Sequence, residues 1–129
     1  AVMAADSGAD GIIVSNHAGN TNDSAVAPVD VLPGIVEAAG KRLTIIVDSG
    51  FRRGSDVLKG LALGADAVAI GRATLYGVGA AGESGATRAL EIFDSEIRRT
   101  MGVMGLSDIQ SINRDHVILP GQLSKSREY

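Results

Sequence analysis

The sequence has no cysteine and no tryptophan. Without thiols it has no disulfide framework, no thiolate nucleophile and no cysteine metal ligand, which fits a reducing compartment and makes the cytoplasm the expected setting. Aromatic residues make up only 3% of the 129 residues and prolines number 3. Any core must therefore come from Ala, Val, Ile and Leu, with backbones packed closely around small side chains. A basic surplus is lacking too: the formal net charge is -3, and Lys and Arg occur singly or in pairs. That distribution excludes the concentrated positive surface that nucleic acid demands. Apolar runs fall short of the roughly 20 residues that cross a bilayer, so no membrane-spanning segment is expected, and residues 1–9 do not read as a secretory leader.

What is present is glycine, 17 residues of it, and a 45% hydrophobic share, the composition of an ordinary globular α/β chain. Residues 1–5 read as the end of a helix stopped at Ser7-Gly8, and residues 11–15 as a buried strand. A polar loop over 17–27 leads to a helix over 28–39 that starts at Pro28 and stops at Gly40, with Pro33 either accommodated or breaking it. Residues 43–48 form a second strand, and Ser55-Asp56 offers an N-cap for a helix reaching residue 63. Residues 67–70 form a third strand, followed by a loop over 71–82 and a long helix over 83–104. In that helix Leu90, Phe93, Ile97, Met101 and Met104 make one apolar stripe expected to face the sheet, with Glu91, Asp94, Arg98 and Arg99 opposite.

The same helix-to-strand turn occurs twice, as Gly8-Ala9-Asp10 and as Gly64-Ala65-Asp66. Right-handed crossovers then predict three parallel, neighbouring strands whose polar loops emerge along one edge. Three β/α units cannot close a TIM (β/α)8 barrel, which takes about 250 residues. The fold class is accordingly α/β, an incomplete barrel over residues 1–120, with a polar tail over 121–129 expected to fray. A sheet with bare edges and an apolar face predicts partnering or aggregation.

The chemistry-bearing residues fall at the strand ends. After the second strand stands Asp48-Ser49-Gly50-Phe51-Arg52-Arg53-Gly54, and after the third Gly71-Arg72. Glycine lets peptide N–H groups approach a phosphate, and guanidinium groups grip it as a charged fork. In β/α barrels the loops after the last two strands are the usual phosphate site. One Gly-Arg pair alone would read as surface charge; its recurrence at two consecutive strand ends points to an anion. After the first strand comes Ser15-Asn16-His17-Ala18-Gly19-Asn20. Imidazole changes charge near neutrality, so His17 at that edge is a candidate general base. His116 lacks such a setting and is assigned no role.

Taken together, Gly8-Ala9-Asp10-Gly11-Ile12-Ile13-Val14-Ser15-Asn16-His17, Ala27-Pro28-Val29-Asp30-Val31-Leu32-Pro33, the run from Asp48 to Lys59 and the run from Ala62 to Arg72 resemble the FMN-dependent 2-hydroxy-acid oxidase and dehydrogenase family. The similarity covers about residues 5–105, as the last three strand-helix units of that family's barrel. It implies FMN as cofactor and His17 as the base, taking either the substrate hydroxyl proton or the α-carbon proton. It implies that Asp48, Ser49, Gly50 and Arg52 form the FMN loop, with Arg52 and the peptide N–H groups near Arg53 on the phosphate and Gly71 and Arg72 as the second phosphate contact. Asp48 is implied to order the loop and the ribityl chain.

Two departures qualify the resemblance. The family's Gly-Gly-Arg after the histidine, whose Arg clamps the substrate carboxylate, is here Ala18-Gly19-Asn20; Asn20 can hydrogen-bond a carboxylate but cannot neutralise it. Asn at this position is similar to the branch that oxidises an amine-bearing peptide-derived precursor of mycofactocin, and loss of activity by drift accounts for it nearly as well. The family's other active-site groups, a Tyr, an Asp that orients the histidine, a second Arg and a Lys, come from strands that would precede Ala1. Tyr76 does not match them and reads as packing in the loop after the third strand. The isolated chain is therefore expected to be inactive, to need an N-terminal barrel half, and to leave a homo-oligomer open. The expected partner is a small 2-hydroxy acid of lactate, glycolate or mandelate type. Two other readings remain: an isomerase of the type 2 isopentenyl-diphosphate kind, whose phosphate loop is similar, and a non-catalytic half-barrel that joins another chain.

Overall fold

The computed structural model describes residues 1–119; the tail over 121–129 lies outside the described residues. Three strands, β1 (Gly11–Val14), β2 (Thr44–Val47) and β3 (Ala67–Val68), form one parallel sheet in the order β1-β2-β3. Gly11 pairs with Thr44 through Val14 with Val47, and Ile46 with Ala67. Helix α1 (Val2–Asp6) precedes β1, α2 (Pro28–Ala39) joins β1 to β2, α3 (Gly54–Ala62) joins β2 to β3, and α4 (Arg72–Met104) follows β3. The expected parallel β/α order is thus present, and the sheet is open.

One face of that sheet is covered. Ile45 and Val47 on β2 and Leu32 on α2 are fully buried, and burial of such a side chain contributes about 1.5–3 kcal/mol. Val14, Ala39, Leu43, Phe51, Leu63 and Ala65 complete this core. The opposite face is bare: Ile13, beside Ile46 in the register, is 61% exposed. The expected burial of the first strand therefore holds for one face only, because no described element packs on the other.

The repeated turn places a glycine at positive φ, +84° at Gly8 and +99° at Gly64, a conformation that favours glycine. Its aspartates then diverge. Asp66 Oδ2 accepts the N–H of buried Ile45 at 2.7 Å, whereas the Asp10 carboxylate bonds nothing among the described residues. Asp66→Ala should therefore leave a core donor unsatisfied and cost about 1–3 kcal/mol, while Asp10→Ala stays within about 0.5 kcal/mol. Urea unfolding curves of the two variants provide the check.

Four further expectations are corrected. Helix α3 starts earlier than expected, with Arg53 rather than Ser55 or Asp56 as N-cap; Asp56, at the third helical position, reaches back to the N–H groups of Arg52 (3.2 Å) and Arg53 (3.1 Å), the reciprocal half of a capping box. Residues 72–80, expected as loop, are helix, since α4 begins at Arg72. It bends sharply at Ala81 (φ -155°) and Gly82 (φ 58°, ψ -135°). There the chain doubles back, so Gly77 and Gly85, which a straight helix would hold about 12 Å apart, meet backbone to backbone. Tyr76 sits on this first segment and is 68% exposed, so it does not serve as packing. The stripe in α4 faces α3 rather than the sheet: Phe93 is buried, Leu90 is 52% exposed, and Gly54 of α3 abuts Phe93, Glu96 and Ile97. Helix α2 runs through Pro33 unbroken. On the outer face of α4 a hydrogen bond from Arg98 holds the Asp94 carboxyl below its ordinary value.

Candidate functional site

The loops after β1, β2 and β3 line one cleft of 590 Å³. His17, Ala18, Gly19 and Asn20 come from the first loop, Asp48, Ser49, Gly50, Phe51 and Arg52 from the second, and Gly71, Arg72 and Leu75 from the third. Eight of the nine expected site residues are therefore brought together; Arg53 is not among the lining residues. Its guanidinium pairs with Glu96 on α4 at 2.8 Å, and the peptide N–H groups of Arg52 and Arg53 are held by Asp56. The cause is local: Arg53 is extended (φ -132°, ψ 155°), and successive side chains of an extended backbone point to opposite sides.

Glu96 is the residue that sequence reasoning missed. One carboxylate oxygen accepts the Gly54 N–H at 2.7 Å, and the other takes Arg53. Its side chain is only 17% exposed. The one sequence signal was a carboxylate set between Phe93 and Ile97 on the packed side of the helix.

Charge in the cleft is unbalanced in a useful direction. The Arg52 and Arg72 guanidinium groups have no hydrogen bond or ion pair among the described residues, whereas Arg42, Arg53, Lys59, Arg88 and Arg98 are paired with carboxylates. Gly71 precedes α4 without a side-chain cap, so the positive end of the helix opens beside Arg72. An added Cβ at Gly50 or Gly71 would meet no atom within 4 Å, which leaves room for a ligand against the backbone. Two free guanidinium forks, open glycine backbone and a helix N-terminus suit a phosphate dianion.

His17 faces the same cleft. Its Nδ1 lies 3.1 Å from Thr21 Oγ1, and the His17 backbone N–H donates to Ser15 Oγ at 3.1 Å. When Nδ1 carries the ring proton, Thr21 accepts it and Nε2 is left as the basic nitrogen. Asn16 closes the base of the loop by donating to the Val26 carbonyl at 3.2 Å. His116 lies outside this cleft, its Nδ1 accepting the Asn113 N–H at 3.2 Å. Among the described residues no cluster of metal-ligating side chains occurs.

Comparison with known proteins gives this geometry its context. The chain is 49% identical over 110 residues to an (S)-mandelate dehydrogenase of Pseudomonas putida, which covers 85% of this chain and 28% of that protein. It is 48% identical over 113 residues to an L-lactate dehydrogenase of Caulobacter vibrioides, covering 88% of this chain and 30% of the other. A peroxisomal (S)-2-hydroxyacid oxidase of Arabidopsis thaliana is 44% identical over 117 residues, 91% of this chain and 32% of its own length. The crystal structure of the monotopic membrane protein (S)-mandelate dehydrogenase matches with a TM-score of 0.82 at 46% identity, over 89% of this chain and 31% of that one. The chain thus spans less than a third of the length of these relatives, and its three β/α units are part of a TIM barrel. Among the described residues no helix is long and apolar enough to cross a membrane. The profile of the FMN-dependent dehydrogenases matches residues 1–119; with the cradle suited to a flavin phosphate and identities near one half, the chain belongs to the FMN-dependent dehydrogenase family, whose cofactor is FMN.

Proposed function

We propose that this chain holds the phosphate end of FMN and supplies the base for oxidation of a 2-hydroxy acid to the 2-oxo acid. The observation that carries the reading is that two guanidinium groups without a partner among the described residues, Arg52 and Arg72, line the same cleft as His17. Arg52, Arg72 and the Gly71 backbone bind the phosphate, Asp48 and Gly50 lie along the polyol chain, and Asn20 meets the substrate. Arg53 acts through Glu96 and does not touch the phosphate.

Converting a 2-hydroxy acid to the 2-oxo acid removes two protons, one from the hydroxyl and one from the α-carbon, together with two electrons. Bound FMN supplies the two-electron acceptor. His17 Nε2 takes a proton, from the hydroxyl or from the α-carbon, and the Thr21 contact at Nδ1 holds the ring while it does so. Asn20 donates a neutral hydrogen bond where a cation would neutralise a carboxylate. That exchange favours a second reading, oxidation of an amine-bearing substrate without a carboxylate at this position.

Binding is the first test. FMN fluorescence should be quenched on adding the chain, and riboflavin, which lacks the phosphate, should bind at least about tenfold more weakly. Equal affinity for the two would remove the phosphate from the reading. The second test supplies the rest of the barrel in trans and follows bleaching of the flavin by (S)-mandelate or L-lactate. His17→Asn is expected to slow bleaching by at least about 10²-fold; an unaffected rate would remove the base. Bleaching by an amine-bearing analogue in place of the hydroxy acids would favour the second reading.

A further inference from the structure

Among the described residues the non-glycine positions with left-handed backbone are His17 (φ 53°), Ala18 (φ 55°) and Ser49 (φ 67°), and all three line the cleft. Such conformations are sparsely populated and persist only where neighbouring bonds over-determine them. Ser49 provides those bonds. Its hydroxyl donates to Asp48 Oδ1 at 2.8 Å and accepts the Ala18 N–H at 3.2 Å. Among the described residues the latter is the one hydrogen bond between the His17 loop and the loop after β2. The polarity of this chain is fixed, because an ionised carboxylate only accepts: Asp48 takes the hydroxyl hydrogen, and the Ser49 lone pair is turned toward Ala18.

We propose that Ser49 is a positioning residue that transmits occupancy of the cofactor loop to the base. A polyol donating to Asp48 holds the carboxylate still, the carboxylate holds the Ser49 hydroxyl, and the hydroxyl holds Ala18 and with it the backbone of His17. The left-handed backbone at both ends of the link is then maintained by the ligand as well as by the fold. This inference rests on the cofactor reading above and adds to it that filling the second loop orders the first.

The test is amide hydrogen exchange in the isotope-labelled chain, with and without FMN at a concentration that saturates each variant. In the unaltered chain FMN should slow exchange at Ala18 by roughly tenfold. In Ser49→Ala that slowing should vanish at Ala18 while the core amide of Ile45 keeps its protection. Ser49→Gly removes the hydroxyl and also relieves the left-handed backbone, so it should melt above Ser49→Ala and still show no slowing at Ala18. This second variant separates lost transmission from lost folding. FMN slowing Ala18 in either variant as it does in the unaltered chain overturns the proposal. Absence of FMN binding by the unaltered chain would instead overturn the cofactor reading on which it rests.

Discussion

Gly54→Ala is expected to lower the melting temperature of the chain by on the order of 10 °C. Gly54 is buried at the start of α3, and a Cβ there would stand 2.6 Å from the Glu96 Cβ, 2.6 Å from the Ile97 nitrogen and 2.8 Å from the Phe93 carbonyl oxygen. Two of those three atoms are backbone of α4 and cannot rotate aside. The helices must separate, and separation breaks the Gly54 N–H bond to Glu96, 2.7 Å long. Overpacking costs about 1–3 kcal/mol, and losing a hydrogen bond to a charged acceptor about 1.5–3 kcal/mol. Gly79→Ala is the matched control: no atom lies within 4 Å of its added Cβ, so the better helix former should add about 0.5–1 kcal/mol. Thermal melts that place both variants on the same side of the unaltered chain would refute this account of the α3–α4 contact.

The second large effect concerns the anion site. Each charge-assisted hydrogen bond to phosphate contributes about 1.5–3 kcal/mol, so Arg52→Ala and Arg72→Ala should each weaken FMN by roughly 10- to 100-fold. The double variant should lose roughly 10²- to 10⁴-fold, with some shortfall from additivity because both groups are expected to grip one phosphate. Arg53→Ala should change FMN affinity less than about threefold, since its guanidinium is spent on Glu96; its 70% exposed side chain limits the stability cost to about 1 kcal/mol. Riboflavin binding should ignore all three substitutions. Fluorescence titrations read every arm, and an Arg53→Ala loss as large as that of Arg52→Ala would refute the division of labour between the two neighbours.

Much of this arrangement was legible in the sequence. The strands emerged within one or two residues of expectation because short β-branched runs between polar turns leave little choice, and Gly8-Ala9-Asp10 and Gly64-Ala65-Asp66 marked where two of them begin. The three strand-end loops that line the cleft were likewise marked by their glycine, arginine and histidine content. Residues 71–82 misled because Gly71, Gly77, Gly79 and Gly82 carry poor helix propensity, yet two of these glycines border or form the fold-back where α4 approaches itself. Arg52 and Arg53 could not be told apart by composition, only by the alternation of an extended backbone. Glu96 lies 42 residues from Gly54; a contact at that distance becomes readable only after α4 has been laid on α3.

The doubled-back α4 leaves Arg52 and Arg72, the two halves of the proposed phosphate grip, unequally anchored. Arg52 stands on a segment stapled by Asp56 and Glu96, whereas Arg72 opens a short helix whose Leu75, Tyr76 and Val78 are exposed. Local opening of that short helix costs less than global unfolding, so a bound anion shifts its equilibrium toward order by mass action. Ligand affinity and the integrity of this one helical arm are in that sense a single thermodynamic quantity, and any substitution that loosens the arm weakens the ligand without touching it.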